Sequence, residues 1–262
     1  MAGRGTGRPG DRNSGRASDA ERWTEILGRT ALFRGLAAAE QSAVARAATR
    51  NVAARRGSFF EQGDRPCRLH LLLRGRVSLI QSGADGQEVI LRLIGPGEIF
   101  ALTAVLDEVS YPVSARAVEE SEALVWDGAA IEELLQRFPR IARNAVEILL
   151  HRIREVEDRY RELATERVAQ RLARTLLRLV RHSGRRAAEE KGVRIDMPLS
   201  RETLARLSGT TLFTVSRLLK EWEQRGILVA GREHVRILSP HALVVIAEDL
   251  GSRDDTEDEG ET

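Results

Sequence analysis

Between Pro198 and Leu238 the chain reads PLSRETLARLSGTTLFTVSRLLKEWEQRGILVAGREHVRIL, and few folds satisfy that order of signals. Ser200 is placed to cap a first helix by accepting from one of its orphan backbone N–H groups. Leu204 and Leu207 follow as an apolar stripe. Gly209 falls where two helices meeting at a wide angle need a positive φ, and Thr210 or Thr211 can cap the second helix. Val215, Leu218, Leu219 and Trp222 then face a small core. This leaves Leu212, Phe213, Ser216 and Arg217 on the exposed N-terminal half, the part of a recognition helix that meets base edges in a major groove. Gly226 stops the helix. Ile227-Leu228-Val229 and Val235-Arg236-Ile237 read as two wing strands joined through Gly231–His234. The pattern predicts a winged helix-turn-helix; the bland alternative is a structural helical hairpin.

On that reading Arg217 is the residue suited to base readout, because a guanidinium can donate two parallel hydrogen bonds to guanine O6 and N7. Its competing role is an ion pair with Glu221, four residues on. Ser216 can bond a base edge or a phosphate. Phe213 can pack on a thymine methyl or cover the wing, and Leu212 lies beside it. Thr211, Thr214, Arg201, Arg232 and His234 are expected on the sugar-phosphate backbone.

Charge supports this. From Ala164 to Pro240 sixteen Lys or Arg stand against eight Asp or Glu, whereas from Glu248 to Thr262 eight acidic residues face Arg253 alone. A basic region suits a phosphate backbone, since each cation displaces condensed counterions. The acidic segment reads as a disordered solubilising end, or as a competitor of DNA for the basic face.

At 262 residues the chain calls for two folded domains plus tails. No apolar run is long enough to span a membrane, and the Gly/Arg/Ser-rich start has no hydrophobic signal segment, so a cytoplasmic protein is expected. One cysteine, Cys67, excludes a four-cysteine zinc or iron–sulfur site in a single chain. No nucleophile–base pair, metal-ligand motif or phosphate-binding glycine loop appears, so an enzyme is not expected.

Residues 23–50 show helical spacing. From Val52 to Trp126 short strand-like runs (His70–Leu73, Val77–Gln81, Val89–Ile94, Leu124–Val125) alternate with turn signals, among them Asp85-Gly86, as in a small antiparallel roll or barrel. After Phe138-Pro139 the chain turns helical. Ala142, Val146, Leu149, Ile153, Val156, Tyr160 and Leu163 alternate spacings of four and three, a heptad seam suited to a two-helix dimer contact. The expected organisation is α+β: a tail over 1–22, a β-roll over 23–138, a dimerisation helix over 139–163, the winged helix-turn-helix over 164–240 and an acidic tail over 241–262. A dimeric reader of this kind addresses an inverted repeat in double-stranded DNA.

Ordered motifs across both parts resemble the Crp/Fnr superfamily of transcription regulators. They are Leu32-Phe33-Arg34-Gly35-Leu36, Phe59-Phe60-Glu61-Gln62-Gly63-Asp64, Leu71–Val77, Gly95-Pro96-Gly97-Glu98-Ile99-Phe100, Tyr111–Ala117 and Gly209–Leu219. The resemblance implies a cyclic-nucleotide-binding-like β-roll as sensor, a homodimer, and contact with RNA polymerase. Cyclic-AMP-binding members carry a Gly-Glu and an Arg-Ser pair where this chain has Ala101-Leu102 and Tyr111-Pro112. Those residues, with Arg116 as a substitute cation, mark the expected effector pocket. A cyclic phosphate would meet no cation at Tyr111, which argues against control by cyclic AMP. The wording of TTLFTVSR and Trp222-Glu223 is similar to members that regulate nitrogen-oxide respiration, which brings haem or nitric oxide into view with His70, Cys67 and His151 as ligand candidates. The plain reading leaves Cys67 a small buried residue and His70 a strand residue. A constitutive DNA-binding regulator with a vestigial sensor domain is the alternative.

Overall fold

The computed structural model describes residues 23–84, 86–102, 110–185 and 191–250. The expected tail over 1–22, residues 251–262 of the acidic segment, and Asp85 of the hairpin turn lie outside the described residues.

Residues 23–29 form α1, a 3-10 turn covers Ala31–Phe33, and α2 spans Ala38–Ala47. The roll then builds from two four-stranded antiparallel sheets. One orders β1 (Thr49–Ala53), β8 (Ser121–Asp127), β3 (Arg68–Arg74) and β6 (Ile99–Phe100) side by side; the other orders β2 (Ser58–Phe60), β7 (Ser114–Ala117), β4 (Val77–Ser82) and β5 (Glu88–Ile94). The two-residue period of a strand explains the layering. On β3, Leu69 and Leu71 pack outward with Phe33, Trp126 and the helices, while Leu72 joins Phe60, Phe100 and Tyr111 inside the roll. Gly75, at φ +86°, turns β3 into β4, where a Cβ would run into Ser121.

After α3 (Gly128–Arg137), Pro139 opens α4 (Pro139–Thr165), 27 residues and so about 40 Å long. One side of α4 is anchored: Ile141 is buried, and Asn144 donates to the carbonyls of Leu32 at 2.8 Å and Arg34 at 3.0 Å. The other side carries the expected seam. The helix runs two residues past the expected end at 163 and breaks at Glu166 and Arg167, both extended.

The reader domain follows: α5 (Val168–Ser183), β9 (Gly184–Arg185), β10 (Val193–Ile195), α6 (Arg201–Ser208), α7 (Leu212–Gln224), β11 (Leu228–Ala230), β12 (Val235–Ile237) and α8 (Pro240–Glu248). Leu172, Leu176, Leu204, Val215, Leu219, Trp222, Ile237 and Leu243 close one core. The acidic tail was expected to begin at 241, and this is corrected: the domain ends at Glu248. Ser239 caps α8 by accepting from the Ala242 N–H, Pro240 starts it, and Leu243 and Ala247 are buried. The apolar run HALVVIA needs a surface to cover, which the charge count of the segment concealed. Among the described residues no helix is long and apolar enough to cross a membrane.

Candidate DNA-reading face and effector region

Local rules place the reading face. Ser200 accepts from the Thr203 N–H at 3.0 Å and starts α6; Gly209 ends it in the left-handed region at φ +64°. Thr211 accepts from the Thr214 N–H at 3.3 Å and starts α7. Val215, Leu218, Leu219 and Trp222 are buried as expected, so the opposite side of α7 is bare: Leu212 is 45% and Phe213 84% exposed. Arg217 is exposed and has no ion pair or hydrogen bond among the described residues; Glu221, four residues on, pairs with Arg225 at 3.6 Å. A free guanidinium one turn into a capped helix, beside two bare apolar side chains, can donate to a base edge. Ser216 is half-buried next to it. Thr214 hydrogen-bonds with Thr211, and Arg201 stands exposed in the first turn of α6. Across the wing Arg232 and His234 are exposed, with the His234 ring lying against Gly231.

The seam residues Val146, Leu149, Ile153, Val156, Tyr160 and Leu163 are all exposed in the single chain, and Leu150 beside them is too.

The four residues expected to line one effector pocket do not share one. Tyr111 is buried inside the roll, its ring stacked on Phe60 at 3.9 Å between centroids. Its hydroxyl accepts from the N–H groups of Cys67 and Arg68 and donates to the Arg68 carbonyl at 3.1 Å. Burial raises its pKa and keeps it neutral. Ala101, at φ +60°, packs near Tyr111, whereas Leu102 belongs to the helix-side core. Arg116 is the correction: it lies on the outer face of its sheet, where it pairs with Glu88 at 3.3 Å. Its register position alternates with Ala115 and Ala117, so it cannot also point inward. Residues 103–109, between Leu102 and Tyr111, lie outside the described residues.

Sequence reasoning missed Arg152. From α4 it donates to the Ile99 carbonyl at 2.7 Å, joining the long helix to β6 of the roll. Burial, with repulsion from Arg92 added, lowers its pKa to about 10. The heptad pattern offered only its place beside the seam.

The haem candidates do not converge. Cys67 is exposed at the edge of β3 rather than buried, and His151 pairs with Glu155 at 3.4 Å on the outside of α4. His70 is buried with neither ring nitrogen hydrogen-bonded, among Phe59, Phe60 and Phe100 at 4.8–5.7 Å between centroids. Iron must reach a ring nitrogen in the plane of the imidazole, and both nitrogens are sealed inside the packed roll, so the residues present do not fit the group. Burial pushes His70 down to a pKa of about 4, and it stays neutral.

Between the outer face of the second sheet and the reader domain lies a cleft of about 550 Å³, lined among others by Arg55, Arg116, Ser200 and Arg206. Arg55 pairs with Glu233 of the wing turn at 3.2 Å, and Ile80 and Ile90 of the roll join the reader core.

Comparison with known proteins agrees with this architecture. Residues 50–138 match the cyclic nucleotide-binding domain family, and residues 170–246 match the Crp-like helix-turn-helix domain family. The cyclic AMP receptor protein of Thermus thermophilus is 32% identical over 216 residues, covering 82% of this chain and 96% of that protein. The transcriptional activator protein FnrA of Stutzerimonas stutzeri is 26% identical, covering 72% of this chain and 77% of that protein. The fold matches the solved structure of FixK2 from Bradyrhizobium japonicum with a TM-score of 0.67 at 22% identity, over 76% of this chain and 96% of that one. With its β-roll, long helix and capped reading helix, the chain belongs to the Crp/Fnr family of DNA-binding transcription regulators.

Proposed function

We propose that the protein works as a homodimer on an inverted-repeat operator, gated by a signal received in the β-roll. The observation that carries this reading is the pairing-free Arg217 on the bare half of α7, in a chain whose α4 leaves a heptad seam uncovered. Two copies joined along that seam would present two recognition helices to successive major-groove faces. Arg217 reads a guanine in each half-site; Ser216, Phe213 and Leu212 complete the base contacts, and Thr211, Thr214, Arg201, Arg232 and His234 hold the backbone. Like other regulators of the family, the dimer would work in the bacterial cytoplasm and contact RNA polymerase.

The signal is proposed not to be cyclic AMP. Relatives named for cyclic AMP include the Thermus protein and the cAMP-activated regulator of Mycobacterium tuberculosis, 28% identical to this chain. In this chain the Tyr111 hydroxyl is already bonded to backbone at the place of the family's phosphate-binding arginine. A neutral, occupied phenol cannot compensate a buried phosphate. Gating would run through Arg152: a ligand that moves β6 alters the Ile99 contact, and with it the lie of α4 in the dimer, by shifting the population of two packings.

Selection of bound duplexes from a randomised library by the full chain tests the reading. Recovery of one word as an inverted repeat supports it; an unrepeated word overturns the dimeric part. With the recovered operator, millimolar cyclic AMP should leave affinity unchanged, and a rise would reinstate the nucleotide as effector.

A further inference from the structure

Arg171, Arg174 and Arg178 lie three and four residues apart on α5 and so share one helix face. That face meets the break between α4 and α5. Arg171 donates to the Glu166 carbonyl at 2.7 Å, and to the carbonyls of Ser208 and Gly209 at 3.2 and 3.3 Å, in the turn before the recognition helix. Arg178 grips Glu162, near the end of α4, at 2.6 Å. Arg174 makes a different link. Its Nε donates to the Glu166 carboxylate at 2.9 Å, its Nη1 to Glu248 at 2.9 Å, and its Nη2 to the Ala247 carbonyl at 3.0 Å.

One guanidinium therefore fastens the last turn of α8 to the break between the helices. The end of a helix, where carbonyls point outward, favours a cation. The Glu166 side chain is only 8% exposed, so the contact is shielded from solvent. Burial alone would lower the pKa of Arg174; hydrogen bonding to Glu248 and the charges of Glu166 and Glu162 outweigh it and raise the pKa. Glu166 and Arg167 are two extended residues between two helices, a connection that does little to fix an angle by itself. The angle is set by whatever bridges it.

We infer that Arg174 is a positioning residue for DNA recognition: by tying α8 to the α4–α5 break it holds the angle of the reader domain on the dimer helix, and so the half-site spacing a dimer accepts. The inference rests on the dimeric reading proposed above. One extra base pair displaces a half-site by about 3.4 Å and about a tenth of a turn, so a held angle should discriminate spacing sharply.

The test repeats the library selection with Arg174→Met, which keeps an apolar stem against α5, and with Glu248→Gln, which removes one charge at a half-exposed site. Both variants should recover the same half-site word as the unaltered protein. Their preference for the best spacing over one base pair longer should fall from about tenfold to about threefold or less. Unchanged spacing preference in both variants overturns the inference. Loss of the half-site word in both also overturns it, since Arg174 would then serve only the reader's own fold. If the unaltered chain yields no repeated word, the dimeric reading fails first, visibly, and takes the inference with it.

Discussion

Glu88 on β5 of the roll accepts from Arg206 on α6 of the reader domain at 2.7 Å. Its second oxygen accepts from Arg116 at 3.3 Å, so one carboxylate sits between two guanidinium groups across the domain boundary. Ile80 and Ile90 pack beside it into the reader core. Glu88→Gln leaves the two cations facing each other. The pair is partly exposed, so its contribution is on the order of 1 kcal/mol and shrinks with salt. Each domain has a tryptophan in its core, Trp126 in the roll and Trp222 in the reader. In urea the two reporters, isolated by Trp→Phe exchange at the other site and at Trp23, should unfold together in the unaltered chain. They should separate in Glu88→Gln at low salt; coincident midpoints in the variant would show that this pair does not couple the domains.

His70 predicts an acid-sensitive roll. Its pKa of about 4 when folded lies below the ordinary value of 6.5, so between those two values the unfolded chain binds the extra proton. The sign follows: stability is full above about pH 6.5 and falls as pH drops toward 4. Between pH 7 and pH 5 the loss is about 2 kcal/mol. His70→Phe, set among Phe59, Phe60 and Phe100, should flatten that slope. A variant as acid-sensitive as the unaltered protein would assign the loss to other groups.

The reading face was legible in the sequence because capping and glycine rules act over three or four residues. Ser200, Gly209 and Thr211 do what those rules require, and Val215, Leu218, Leu219 and Trp222 fall on the buried side. The exposed apolar row on α4 was legible because a heptad period can be read directly from the letters. What escaped depended on contacts between distant segments. The letters around Arg116 do not say which face of its sheet it takes; its pairing with Ser58 and Ser78 across the sheet does. Arg152 and Arg174 act on partners 53 and 74 residues away, at Ile99 and Glu248, and no local pattern carries that. Helix α8 was hidden by the acidic run that follows it.

Arg217→Ala should remove sequence discrimination without removing DNA binding. A bidentate guanidinium–guanine contact is worth about 1–3 kcal/mol of discrimination per half-site, while phosphate contacts supply the salt-dependent remainder. Arg232→Ala is the control: it should weaken operator and random duplex alike and lower the salt slope by about one. Competition binding against random DNA separates the two. Operator preference retained in Arg217→Ala would move base readout to Ser216 or Phe213.

Ile153→Asp tests the seam at its centre. In the single chain Ile153 is 54% and Val156 68% exposed, and Ile153 lies about half a turn around α4 from the buried Asn144. The substitution therefore leaves the anchored face, and the monomer fold, untouched. In a dimer each a-type position meets its counterpart, so two carboxylates would be desolvated side by side. Burying one unpaired charge already costs several kcal/mol, and like charges at close range add to it. Sedimentation at micromolar concentration should find the unaltered chain as a dimer and the variant as a monomer with the same circular dichroism. The monomer should keep weak binding to a single half-site and lose the inverted repeat, since only the joined helices put two copies of Arg217 on one face of the duplex. A variant that sediments as a dimer would move the interface off this helix face, and the exposed row from Val146 to Leu163 would need a different occupant.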